Sequence, residues 1–204
     1  VKGLTFGQTL GYSHEKNVGL GNTNSEFGGP LSSAINLDPT TPAVVTDPVV
    51  ANAPPYSNQA GIMTDANGNP YGISQVVTQE MSNPLAYIKT RLGNYGWSDN
   101  FVGNAYLELE VIKGLKIRST LGGKLAYWGV ESFNPVSYLN SSTINAVNSL
   151  YRERNKGFGW NVENIISYTK EIDGHNFTIL GGQGAYVDNI TSGTNVTYKN
   201  LPAD

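Results

Sequence analysis

The chain of 204 residues is close to neutral, with a formal charge of -3 at pH 7, and it holds no cysteine. Near-neutrality gives no electrostatic ground for a nucleic-acid partner, and the missing thiols exclude disulfides and thiolate metal sites. Its 24 glycines, its 10 prolines and the lack of any long helix-period segment point to an all-β chain with elaborate loops.

The first element opens after the turn Lys2-Gly3-Leu4. Leu4, Phe6, Leu10 and Tyr12 fall on one side and Thr5, Gly7, Thr9 and Ser13 on the other, which is the two-residue period of a strand over about 3–14. Residues 15–96 follow as a very long loop rich in Gly, Asn, Pro, Ser and Thr. Loops of this length carry local structure or function, and Pro39, Pro42, Pro48, Pro54 and Pro55 predict a rigid extended path with one short helix or hairpin in it. Inside this loop Asp65-Ala66-Asn67-Gly68-Asn69 looks like a calcium loop, but Val76 stands where a bidentate Glu belongs. The segment reads instead as a turn in which Asp and Asn bond their own backbone.

The runs on either side of Lys113-Gly114 are the most informative. Over 97–111 the odd positions include Phe101, Ala105, Leu107, Leu109 and Val111, and the even ones Asn100, Asn104, Glu108 and Glu110. Over 115–128, Leu115, Ile117, Leu121, Leu125 and Tyr127 share one side and Lys116, Arg118, Thr120 and Lys124 the other. Because both apolar sides are odd-numbered, the hairpin loop must hold an odd count of residues. A loop of Ile112, Lys113 and Gly114, with Gly114 left-handed, satisfies this. That register sets Glu110 opposite Lys116 and Glu108 opposite Arg118, pairs worth about 0.2–1 kcal/mol each.

A second long loop, 129–156, leads to a strand over about 157–170 with Trp160, Val162, Ile166 and Tyr168 on even positions. The last strand, about 175–188, puts Phe177 and Ile179 on odd ones, so an even loop is required, and Glu171-Ile172-Asp173-Gly174 supplies it. Gly181-Gly182-Gln183-Gly184 is no phosphate cradle, since no helix follows, and marks a bend or close approach. His14 and His175 sit at strand ends without metal-ligand spacing, and no nucleophile or acid/base arrangement stands out, so neither catalysis nor a cofactor is expected.

Short connections on one side and very long ones on the other, with an alternating wall between, predict an arc of an antiparallel transmembrane β-barrel of about five strands with long extracellular loops. On this reading the first, third and fifth strands run outward and the second and fourth inward. A spanning strand needs only about 9–11 residues, half of them polar, which suits a mean hydropathy of -0.28. No run approaches the ~18 consecutive apolar residues of a spanning helix. The chain starts inside a strand-opening turn, at Val1-Lys2-Gly3, and reads as an excised piece.

The hairpin Asn104-Ala105-Tyr106-Leu107-Glu108-Leu109-Glu110-Val111-Ile112-Lys113-Gly114-Leu115-Lys116-Ile117-Arg118-Ser119 closely resembles a barrel segment of TonB-dependent outer-membrane transporters of the SusC/RagA type. Asn83-Pro84-Leu85-Ala86, Leu37-Asp38-Pro39-Thr40-Thr41-Pro42, Asp65-Ala66-Asn67-Gly68-Asn69-Pro70 and Trp160-Asn161-Val162-Glu163-Asn164 with Tyr168 are similar to other elements of that family. The resemblance covers most of 1–190. It implies that 1–204 is part of a larger barrel, with the plug domain and TonB box absent from this chain. It implies import of an oligosaccharide or peptide ligand with a SusD-type surface lipoprotein, coupling to TonB through the missing plug region, and contact with outer-membrane lipid. The location implied is the outer membrane of a Gram-negative bacterium of Bacteroidetes type.

Parity then marks the lumen side of the wall. Glu108, Glu110, Lys116, Arg118, Lys124, Trp128, Glu163 and Tyr186 are the candidates for contact with ligand or plug. The rings of Trp128 and Tyr186 suit stacking on a sugar or peptide, or plain packing against the plug, while the charged residues suit a lattice of salt links along the wall. The competing architecture is a soluble β-sandwich, an adhesin or a carbohydrate-binding module, in which the apolar faces are buried under a second sheet. The position of Leu107, Leu109, Ile117 and Leu121 separates the two.

Overall fold

The computed structural model describes residues 3–20, 29–78 and 81–202. Lys2 of the first predicted turn and parts of the long loop lie outside these. In chain order the elements are β1 (Leu4–Asn17), α1 (Pro30–Asn36), α2 (Pro48–Ala51), α3 (Pro84–Lys89), β2 (Tyr95–Ile112), β3 (Leu115–Asn134), β4 (Ser137–Tyr138), β5 (Ile144–Asn145), β6 (Ser149–Ile172) and β7 (His175–Lys199). The five long strands make one antiparallel sheet in the order β1-β2-β3-β6-β7. The fold is all-β, as the alternation predicts. By contacts the chain divides into two compact units, one of residues 1–16, 97–129 and 153–194 and the other of 17–96, 130–152 and 195–204.

In the first unit the turns set the register. Gly114 takes the left-handed conformation expected of it, at φ +86°. At the other tight end Asp173 and Gly174 both have positive φ, +51° and +79°, which makes a two-residue turn of the primed kind that matches strand twist. The predicted four-residue loop is therefore two residues shorter. The count stays even, so no face changes sides, and Thr169 and Thr178 meet across the strands, Oγ1 to Oγ1 at 3.1 Å. Between β1 and β2, the Glu110 amide donates to the Gly3 carbonyl at 2.8 Å and the rings of Tyr12 and Phe101 lie 4.8 Å apart.

The apolar sides of these strands are open. Leu107 is 53% exposed, Leu109 39%, Ile117 44% and Leu121 59%. The buried hydrophobic residues among those described are Val45, Ala86 and Leu139, all within the second unit. A sandwich requires a second sheet over those leucines. The other sheet among the described residues is the two-residue ladder β4-β5, with Ser137 opposite Asn145 and Tyr138 opposite Ile144.

The predicted strands are found, and at the ends away from the tight turns they overrun their predicted limits. β3 continues to Asn134, β6 begins at Ser149 and β7 continues to Lys199. There the apolar-polar alternation fades, into Ser, Thr, Asn and Gly in β7 and into the charged run Arg152-Glu153-Arg154 in β6, but backbone pairing does not depend on it.

The second unit corrects the expectation of an extended path with one short helix or hairpin. Three short helices form, each with a proline in its first turn: Pro30, Pro48 and Pro84. A proline there loses no hydrogen bond and fixes φ near the helical value. The Asp47 carboxylate caps α2 by accepting from the Val49 amide at 2.8 Å, and the Asn83 side chain caps α3 from the Leu85 amide at 3.0 Å. Isolated bridges join Val44 to Tyr71 and Thr64 to Pro70.

The centre of this unit is polar and hydrogen-bonded. Asn83, 3% exposed, also donates to the carbonyls of Ala43 at 2.8 Å and Gly72 at 3.2 Å. Asn140, 2% exposed, donates to the Met81 carbonyl and accepts from the amides of Ser142 and Thr143. The Asp38 carboxylate accepts from the hydroxyls of Ser74, Thr40 and Thr41, which hold its carboxyl well below the usual range. The Asp65 carboxylate accepts from the amides of Asn67 at 2.8 Å and Asn69 at 2.9 Å, the self-bonded turn expected of that segment.

Candidate functional site

On the first unit's leucine side Tyr12 donates to Asp99 at 2.7 Å and His14 pairs with it at 2.8 Å, while the larger set of polar side chains lies on the opposite face. Next to the Lys113-Gly114 turn, Lys116 Nζ pairs with Glu108 Oε1 at 3.1 Å, and the Arg118 guanidinium stacks on the Tyr106 ring, 3.8 Å from its centre. The Tyr106 ring in turn lies over Gly7, where a β-carbon would collide with it. Glu110 Oε1 accepts from the Gly114 amide at 3.1 Å. The expected pairs Glu110 with Lys116 and Glu108 with Arg118 are thus displaced along the strands. Long side chains lean along the strand direction, and the turn amide competes for Glu110. All five groups remain on the polar face that parity assigns.

Farther along the sheet the strands place glycine beneath long polar side chains. A concavity of about 500 Å³ opens there, lined by Lys124, Asn161, Glu163, Tyr186 and Asp188 over Gly122 and Gly159. Lys124 reaches from β3 across β6 to β7, where Nζ meets Asp188 Oδ1 at 2.7 Å. It crosses at Gly159, where a β-carbon would stand 3.1 Å from Lys124 Cε. Asn161 fills the space that a side chain on Gly122 would need. Tyr186, at 78% exposed, stands at the edge of this concavity.

Of the eight candidates, Lys124, Glu163 and Tyr186 line this one concavity. Glu108, Glu110, Lys116 and Arg118 form the separate group by the turn, and Trp128 lies over Gly157. Asp188 and Tyr106 belong with these groups and were legible by parity alone, one beside Tyr186 and the other beside Glu108. Asn161 carried no signal beyond its place opposite a glycine. Among the described residues no group of His, Cys, Asp and Glu has the makings of a metal site. No helix among them is long and apolar enough to cross a membrane, which says nothing of crossing by strands.

No family model matches the chain. It is similar to the TonB-dependent receptor P3 of Formosa agariphila, with 26% identity over 163 residues, 75% of this chain. The chain spans 16% of that relative's length.

Proposed function

We propose that this chain is a wall segment of a TonB-dependent outer-membrane importer of the SusC/RagA type. It works with a SusD-type lipoprotein on glycan or peptide ligands and catalyses nothing. The observation that carries this reading is a sheet whose Leu107, Leu109, Ile117 and Leu121 stand open on one face while Glu108, Lys116, Lys124 and Asp188 stand on the other. A sheet of a water-soluble protein buries such a face. A barrel wall turns it to hydrocarbon, whose thickness about 9–11 residues of strand suffice to cross. β3, β6 and β7 run to 20, 24 and 25 residues, so on this reading each is longer than the hydrocarbon requires. Similarity to a TonB-dependent receptor supports the same reading.

In this arrangement Glu108, Glu110, Lys116, Arg118, Lys124, Trp128, Glu163 and Tyr186 face the lumen, where they meet ligand or plug. Capture occurs between the loops and the lipoprotein, and passage follows displacement of the plug by TonB. The test is the medium in which the chain folds. Refolded in detergent micelles it should give a cooperative β-sheet transition, and diluted into plain buffer it should aggregate through the open face. A monomeric, cooperative species in plain buffer contradicts the proposal.

A further inference from the structure

The second unit holds a cation, Arg91, that makes no ion pair with a described residue. Arg91 follows α3, and its guanidinium lies 5.4 Å from the Tyr87 ring centre with Nη1 donating to Asn134 Oδ1 at 3.2 Å. Its Nε–H is buried and has no hydrogen-bond partner among the described residues. Ion pairs among the described residues include His14 with Asp99, Lys116 with Glu108, Lys124 with Asp188 and Arg152 with Glu131, and Arg91 is in none of these. Half-buried charge without an anion is unfavourable, and a guanidinium keeps a fork of donors for a planar or tetrahedral oxyanion.

The space beside it suits such a group. Arg91 lines a cleft of about 430 Å³ together with Tyr87, Tyr95, Asn17, Asn94 and Ser132. Its described lining holds two aromatic rings, two carboxamides and a hydroxyl, with no carboxylate to repel an anion. Rings pack against the apolar face of a pyranose, and amides and hydroxyls match its hydroxyl groups.

We infer that this cleft binds an acidic sugar unit, with Arg91 gripping its carboxylate or sulfate and Tyr87 or Tyr95 against the ring. The inference rests on the importer reading for its biological meaning and deepens it by naming a ligand class, but its test is scored on binding alone.

The probes are tetragalacturonate, its neutral methyl ester, a sulfated galactose tetramer and tetraglutamate, titrated into the full chain folded in detergent. At least one acidic sugar should bind, the neutral ester should bind about tenfold more weakly or worse, and added salt should weaken acidic-sugar binding. Arg91→Gln should remove the preference for the acidic sugar, and Arg91→Lys should restore it in part, since a point charge replaces the fork. If either variant fails to fold, the ester comparison and the salt series on the unaltered chain still decide. Equal binding of the ester, stronger binding of tetraglutamate, or no binding of either acidic sugar at millimolar concentration overturns the inference. A chain that proves soluble and monomeric in plain buffer yet binds the acidic sugar would sink the importer reading and leave the cleft assignment standing.

Discussion

The two units of this chain solve the problem of cohesion in opposite ways. In the first, the strands pair by backbone and leave their leucines and isoleucines open on one side, so its stability depends on what wets that side. In the second, few apolar side chains are buried among the described residues, and Ser33, Ser74, Asn83 and Asn140 are each buried and hydrogen-bonded to neighbouring loops. The lesson is that hydrophobic residues report the surrounding medium as much as a core. Where directional side-chain bonds supply cohesion, burial of apolar area matters less.

Substitutions that act on one unit and spare the other put this contrast at risk. The largest effect is expected from Leu107→Arg, which should cost about 2–4 kcal/mol in a bilayer if the position lies near its midplane, yet almost nothing in the second unit's hydrogen-exchange protection. An equal loss in both units would erase the contrast.

Asn83→Ala should cost roughly 2–3 kcal/mol, because it strips the side-chain donor from the buried Gly72 carbonyl, leaves the Ala43 carbonyl with the Gly72 amide alone, and uncaps α3. Amide exchange should quicken over 43–90 and stay unchanged over 103–125.

A smaller effect, about 1 kcal/mol or less, is expected from Gly159→Val, which blocks the path of Lys124 to Asp188. A double-mutant cycle with Lys124→Ala should show the two changes to be non-additive. Simple addition would mean that the crossing carries no energy.

The gentlest lever is acid. The folded Asp38 carboxyl titrates below its unfolded value, so its contribution is complete above the ordinary carboxylate pKa of about 3.9 and is lost as pH falls through the lower, folded value. Exchange around Thr40, Thr41 and Ser74 should therefore quicken below about pH 4, and Asp38→Asn should flatten that response. A response confined to the strands instead would place the acid-sensitive bonds in the wrong unit.

The first unit was largely legible because period-two alternation is a property of the chain itself. Leu107 and Glu108 state their faces without reference to anything distant, and Gly114 states its turn. The loop over-count at Glu171-Ile172-Asp173-Gly174 came from weighing parity above turn chemistry, since Asp-Gly by itself specifies a two-residue turn. The same chemistry would have found the helices: Asp47-Pro48 and Asn83-Pro84 are each a capping residue followed by proline at the first helical position. Other features lay beyond the sequence. The reach of Lys124 over Gly159 to Asp188 joins three strands, and the hydrogen-bonding of Asn140 to Met81 joins residues whose spacing means nothing until the loops are folded.

The central claim, that lipid rather than protein covers the leucine face, is most directly tested by labelling. The chain has no cysteine, so Leu107→Cys, Glu108→Cys and Leu109→Cys each introduce a single thiol. In bilayer vesicles a charged, water-soluble maleimide should label position 108 and spare 107 and 109, while a lipid-dissolved quencher should reach a fluorophore at 107 and 109 but not at 108. Equal aqueous labelling at all three positions, or quenching at none, would contradict the account.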